Sequence, residues 1–307
     1  MHDIIQHESL RVALGPLCYE FVAGDTWGSH AIDNLRAGVD CQGFAGKPTR
    51  LLRLMKLPLG PELHDASNAC TLPASLIVKL AEGTPKKGWT VVGEETGIMT
   101  WLHQSTAETF VTFSPGLKGR APIFVLPWPA ILADLAARGG GIFHGGLAVR
   151  DGRGLLFAAP PGGGKTTALS RLPSPWQVLA DDATLVWPAG DGFCASPLPT
   201  WSVLTGRNPA IAAIGTWRLA EQLPLAGILF LEKCAGLELA RCQPIEVAPA
   251  LYQALSEHPR VVANRGPLRQ NLFHTACELA RAMPTWRLRL DRTAAYWILL
   301  DRCLSME

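Results

Sequence analysis

Gly154-Leu155-Leu156-Phe157-Ala158-Ala159-Pro160-Pro161-Gly162-Gly163-Gly164-Lys165-Thr166-Thr167 decides the fold, and the chain from it runs on to Asp181-Asp182. Gly154 to Ala158 is a short apolar run of strand type. Ala159 to Thr166 is rich in glycine and proline and ends in Lys-Thr. Thr167 to Leu172 mixes polar and apolar residues at helical spacing. Strand, glycine-rich loop, Lys-Thr and helix in that order is the context in which such a loop holds phosphate. Glycines let successive backbone N–H groups turn toward one point and cradle phosphate oxygens. Lys165 is the expected contact to β and γ phosphates and Thr166 the hydroxyl for Mg²⁺, with the positive end of the new helix adding to both. The expected ligands are ATP or another NTP with Mg²⁺. The expected binding set is Ala159, Pro160, Pro161, Gly162, Gly163, Gly164, Lys165, Thr166 and Thr167. Ala159 stands where the pattern more often has glycine, and small size is the main demand there.

On either side of this unit lie two further candidates. Ile142 to Val149 reads as a strand carrying His144-Gly145. The tight connection Arg150 to Gly154 predicts that it pairs antiparallel with the loop's own strand. That pairing would bring His144 beside the loop. After the helix, Trp176 to Ala180 is again strand-like, with Asp181-Asp182 at its C-terminal end, where ligands of α/β sheets gather. Two acids there can orient Mg²⁺ or take a proton from an attacking hydroxyl. Alternation along a strand sends the two side chains to opposite faces. Asp181 is taken as the base and Asp182 as the metal- or water-side acid.

The rest of the chain supplies scaffold. The 307 residues are 48% hydrophobic and 18% charged, enough apolar material for a sizeable core. A net charge of +2 gives no electrostatic case for nucleic acid. No apolar run is long enough to span a bilayer, and the N-terminus MHDIIQHESL lacks a signal-peptide core, so the expectation is a cytoplasmic protein without membrane contact. The eight cysteines form no CxxC and no zinc spacing, and read as free thiols. Residues 1–115 are β-rich: Leu10–Leu14, Cys18–Ala23, Leu51–Leu57, Trp89–Val92, Ile98–Leu102 and Glu108–Phe113 are strand-like. This portion either packs on the remainder or extends its sheet. Pro127-Trp128-Pro129 opens a helix that Gly139-Gly140-Gly141 stops. Leu223 to Leu231 reads as a buried strand ending in Glu232-Lys233, which either form a solvated strand end or approach the site. Helices are expected over Val247–Glu257 and His274–Met283, a late strand over Trp286–Leu290, and a terminal helix with Trp297 and Leu300 inward. Trp201, Trp217 and Trp286 read as packing residues.

His144-Gly145, Gly162-x-Gly164-Lys165-Thr166 and Ala180-Asp181-Asp182 occur in the order of the catalytic domain of HPr kinase/phosphorylase, which this part of the chain resembles. The resemblance implies α/β architecture with a P-loop nucleotide-binding core of phosphoenolpyruvate-carboxykinase type over residues 116–307. It also implies transfer of phosphate to a serine or other hydroxyl. His144 would lie beside the phosphates, Lys165 and Thr166 on nucleotide and metal, and one of Asp181 and Asp182 would be the base. Pro197-Leu198-Pro199-Thr200-Trp201-Ser202, Gly215-Thr216-Trp217, Leu223 to Glu232 and Pro284 to Leu288 resemble the SynChlorMet cassette proteins called ScmC. That resemblance implies a place beside radical-SAM peptide-modification enzymes, with a ribosomally made peptide or small protein as substrate; a homo-oligomer is compatible with it. An NTP-hydrolysing switch or a non-catalytic nucleotide-binding scaffold is the alternative that the same loop would serve.

Overall fold

The computed structural model describes residues 9–23, 26–38, 48–56, 89–95, 98–103, 108–113, 128–160, 162–198, 219–256, 265–291 and 293–305. Pro161, Trp201 and Trp217 lie outside them, as do the expected loop Gly60–Pro73 and the cysteines at 41 and 70. The architecture is mixed α/β, with two sheets of mixed strand orientation. The described residues divide into two compact units between Asp134 and Leu135. Among them no helix is long and apolar enough to cross a membrane.

The first unit holds a six-stranded sheet in the order β1-β2-β3-β6-β5-β4. Its strands are β1 (Ser9–Leu14), β2 (Leu17–Ala23), β3 (Arg50–Lys56), β4 (Trp89–Glu95), β5 (Ile98–His103) and β6 (Glu108–Phe113). All six stretches that read as strands are strands. They form a sheet of their own rather than extending the second one. β2 and β3 are parallel, joined through a helix the sequence reading did not anticipate, α1 (Thr26–Gly38). Ala31, Ile32 and Leu35 repeat at helical spacing and are fully buried. Asp134 accepts hydrogen bonds from Tyr19 Oη at 2.9 Å and from Arg50 Nε and Nη2 at 2.6 Å each, a bidentate pair. Asp134 belongs to α2 (Trp128–Ala136), the helix expected after Pro127, a residue outside those described.

The second unit holds the glycine-rich loop. Its sheet runs β10-β8-β9-β13-β12-β11-β7, with β15 on β13 and β14 on β15. The strands are β7 (Gly141–His144), β8 (Gly146–Arg150), β9 (Arg153–Ala158), β10 (Gln177–Ala180), β11 (Ala183–Ala189), β12 (Gly192–Pro197), β13 (Leu223–Lys233), β14 (Leu237–Arg241) and β15 (Thr285–Leu290). β8 and β9 pair antiparallel, as the tight Arg150–Gly154 connection requires. The expected single strand Ile142–Val149 is instead two, broken at Gly145. Its first half pairs with β11 and its second with β9 and β10. The break needs glycine: a Cβ on Gly145 would lie 2.6 Å from the Phe143 ring and 2.7 Å from the Phe157 carbonyl.

β9, β13 and β15 are mutually parallel about the central β13. Helices flank them: α3 (Lys165–Leu169), α4 (Pro244–Ser256), α5 (Arg265–Ala282) and α6 (Trp297–Ser305). α3 begins at Lys165 and is shorter than the Thr167–Leu172 expected. Ala168 and Leu169 pack with Phe157, Leu229, Trp286, Tyr296 and Leu300 in one buried cluster. Tyr296 Oη, fully buried, donates to the Ala168 carbonyl and ties α3 to the C-terminal segment.

Burial pushes the Tyr296 phenol well above its ordinary value. Tyr296→Phe is expected to lower stability by about 1–2 kcal/mol at neutral pH, because the Ala168 carbonyl loses its partner. The wild type should hold this contribution in full below about pH 10 and lose it above, where only the unfolded phenol ionises. Urea denaturation of both proteins across that range checks both statements.

Candidate functional site

The loop follows β9 directly. Gly162 and Gly164 have φ of 72° and 98°, the left-handed region that side chains disfavour. A Cβ on Gly163 between them would lie 2.7 Å from Ala159 Cβ and 2.8 Å from the Pro160 carbonyl, which accepts a bond from Gly163 N at 2.8 Å. The loop is thus folded tightly on itself. Lys165, 8% exposed, lies along its inner side and donates to the Ala159 carbonyl at 2.7 Å. Thr166 and Thr167 are exposed at the start of α3.

Two cavities flank the loop. The larger, about 600 Å³, is lined by the loop glycines, by Thr167 and Arg171 beyond them, and by the ends of β13 and β15 at Lys233, Cys234, Leu290 and Asp291. The smaller, about 200 Å³, takes in His144, Ala158–Pro160, Phe230 and the Ala250–Ala254 face of α4. Its walls are mainly apolar, with His144 and Gln253 as the polar groups.

Sequence-expected residues therefore converge from three places. His144 shares the smaller cavity with Ala158 and Ala159, but from the end of β7, which pairs with β11 rather than with β9 as expected. Asp182 comes within 3.6 Å of His144, Oδ1 to Nε2, because Ala183 of β11 stands opposite His144 in register. The two acids face different surroundings, as alternation predicts. Asp181 is 1% exposed, while the side chain of Asp182 is 40% exposed and that of His144 22%. Among the described residues no three His, Cys, Asp or Glu side chains converge as a metal cage.

Three further residues line the larger cavity. Lys233, for which a solvated strand end and an approach to the site were both open, donates to the Gly162 carbonyl at 2.6 Å. Its neighbour Glu232 turns the other way, into an exposed pair of contacts with Arg287 at 2.8 Å and Arg289 at 3.1 Å. The signal was in the strand itself: a Lys one residue past an acid, at the end of a long apolar run, is sent to the opposite face. Arg171 lines the larger cavity, donating to the Ala294 carbonyl at 2.9 Å and lying 5.8 Å from the Trp297 ring centre. Asp291 closes the far rim, and its Oδ1 accepts from Thr293 N at 2.6 Å, Thr293 Oγ1 at 2.8 Å and Ala294 N at 2.7 Å.

With the geometry in place, comparison with known families is informative. The family model described as SynChlorMet cassette protein ScmC matches residues 127–305, more than half of the chain. The chain belongs to the ScmC family. The match takes in every residue lining the two cavities, so both lie in the part the ScmC family shares. No curated protein matches the chain.

The three hydrogen bonds at Asp291, first those from Thr293, hold its carboxyl below its ordinary value of 3.8. A depressed folded pKa means the turn is intact above that value and is lost as pH falls through the lower, folded one. Asp291→Ala should speed amide exchange at Thr293 and Ala294 at neutral pH while leaving exchange in β9 and β13 unchanged. Hydrogen exchange read by mass spectrometry on peptides spanning residues 285–300 and 153–158 checks this.

Proposed function

We propose that the protein is an ATP-dependent phosphotransferase of the P-loop, HPr-kinase-like type, acting on a hydroxyl of a peptide or small protein of its cassette. The observation that carries the reading is the position of the glycine-rich loop between two cavities. It has Lys233 on the larger side, and on the smaller His144 with the end of β9. The larger cavity suits the nucleotide, since the loop glycines, Thr167 and Lys233 line it. The smaller suits the acceptor side chain.

Phosphoryl transfer asks for charge neutralisation, alignment and a proton acceptor more than for covalent chemistry. Loop N–H groups and Lys165 would neutralise the phosphates. The acceptor oxygen would bond to the γ phosphorus as the bond from that phosphorus to the β–γ bridging oxygen breaks, leaving a nucleoside diphosphate. The hydroxyl proton would pass to a carboxylate. Between the two acids, burial withdraws Asp181 from an incoming hydroxyl and leaves Asp182 accessible beside His144. We therefore give the proton to Asp182, with His144 orienting acceptor or phosphate and Asp181 holding the strand junction.

Thr166 and Asp182 are hard oxygen donors of the kind Mg²⁺ takes, and an ion there would draw its other oxygens from phosphate and water. When bound, Mg²⁺ supplies charge neutralisation across the phosphates. A carboxylate cannot bind the ion and accept the proton through the same oxygen, so in the proposed reaction Asp182 would divide these duties between its two oxygens.

The test incubates purified protein with labelled ATP, Mg²⁺ and a cassette precursor peptide, following label on peptide and free phosphate together. Lys165→Ala is expected to weaken ATP binding. Asp182→Asn should keep ATP binding and lower transfer by about 10²–10⁴-fold, the worth of a positioned base, with Asp181→Asn showing the smaller loss. Full transfer in both Asp→Asn variants removes the base assignment. Rapid phosphate release without peptide points to a switch, and binding without any turnover points to a scaffold.

A further inference from the structure

We propose that the smaller cavity is a site for a tyrosine side chain, which makes the acceptor hydroxyl a phenol rather than the alkyl hydroxyl of serine or threonine. The inference rests on the reading of that cavity as the acceptor site and names the acceptor. The cavity holds about 200 Å³. An apolar cavity of about 150 Å³ takes up one benzene ring, whereas a water occupies about 30 Å³. A serine hydroxymethyl group, little larger than a water, would leave most of this space empty. A phenol fills it.

The walls ask for the same body. Ala250 and Ala254 lie four residues apart on α4 and so share the face that borders the cavity. Side chains the size of Leu251 and Leu255, which α4 buries elsewhere, would close the space at either position. Phe230 of β13, half-buried and beside Ala158 in register, gives an aromatic wall that a second ring can meet edge-on or offset. Apolar walls cost a small hydroxyl its bonds to water and return little. The polar end is His144, whose Nε2 lies 3.6 Å from Asp182 Oδ1. Of the hydroxyl side chains only tyrosine combines an apolar ring with a hydroxyl at its tip. A phenol, with pKa about 10, also releases its proton more readily than an alkyl alcohol, which suits transfer to a carboxylate. Its oxygen would bond to the γ phosphorus as the bond from that phosphorus to the β–γ bridging oxygen breaks. The proton would pass to Asp182, leaving phosphotyrosine and a nucleoside diphosphate.

NMR titration of the full chain with N-acetyltyrosinamide, N-acetylphenylalaninamide and N-acetylserinamide reads the site without ATP. The tyrosine amide should bind about 10- to 100-fold more tightly than the serine amide, the worth of burying a ring. The phenylalanine amide should fall about 3- to 10-fold below tyrosine, one hydrogen bond at the tip. Intermolecular NOEs from the tyrosine ring to Phe230 and Ala254 should place it without any variant. Ala250→Leu, which fills the space at a half-buried position, should weaken the tyrosine amide about tenfold or more, and Ala250→Ser should stay within about threefold. A serine amide that binds as tightly as tyrosine, or a tyrosine ring with no NOE to the cavity, overturns the proposal. So does a phenylalanine amide equal to tyrosine, since the hydroxyl then meets no partner. Phosphoamino acid analysis of the labelled precursor peptide separates this inference from the phosphotransferase reading. Phosphotyrosine supports both, and phosphoserine or phosphothreonine alone overturns the tyrosine assignment while keeping the transferase. A tyrosine amide seated in the cavity with no transfer to any peptide residue keeps the tyrosine site and overturns the transferase.

Discussion

The pairing of β13 with β9 on one side and β15 on the other fixes most of what the second unit can do. Parallel strands put their C-terminal ends on the same side, and here the ends of β13 and β15 line one cavity together with the loop that follows β9. β9 ends first and hands over to the glycine-rich loop. β13 runs past it and delivers Lys233. β15 ends level with it, Lys233 opposite Leu290, and delivers Asp291. The rim is then locked by two backbone bonds, Cys234 N to the Leu290 carbonyl at 3.2 Å and Asp291 N to the Gly236 carbonyl at 3.1 Å. A slip of one residue along β13 would flip Lys233 away from the loop and turn Glu232 toward it.

Electrostatics follow from that frame. The larger cavity is lined by Lys233, whose ammonium is held on the Gly162 carbonyl. Asp291, on the same cavity, is engaged in its own turn, and Asp182 faces His144 on the other arm of the sheet.

Much of this was legible in sequence because it is local. The loop, its strand and its Lys-Thr declare themselves by composition, and all six N-terminal strands are alternating or apolar runs between turn residues. The pairing of β8 with β9 was also legible, since a tight connection at Asp151-Gly152 leaves antiparallel pairing as the simple outcome. What was missed or left open is non-local. Lys233 and Asp291 acquire their positions from parallel register between strands far apart in the chain, which no period in the sequence encodes. α1 was missed because its apolar positions are few, and β14 because its side chains are mostly exposed and give no apolar run. The choice between Asp181 and Asp182 depends on burial, which alternation divides between the pair without saying which residue lies inside.

The acid pair and the glycine pair are two halves of one feature. Residues 141–150 and 177–186 run antiparallel along their length, and both are interrupted at the same level. One breaks at Gly145-Gly146, and the other at Asp181-Asp182. Chain continuity alone would let β7 and β8 form one straight strand, with its partner straight as well, and the acids would then be ordinary ladder residues. Instead the backbones press together there. A Cβ on Gly146 would lie 2.9 Å from the Ala180 carbonyl, 3.4 Å from Asp181 Cα and 2.2 Å from a Leu169 methyl. Thr184 Oγ1 bonds the Gly145 carbonyl at 3.0 Å, satisfying a group the broken ladder leaves over. The absence of side chains at 145 and 146 is therefore what lets the acids sit against the sheet and lets Asp182 turn toward His144. Because Leu169 of α3 fills the space at Gly146, the acid junction and the helix that follows the loop share a wall.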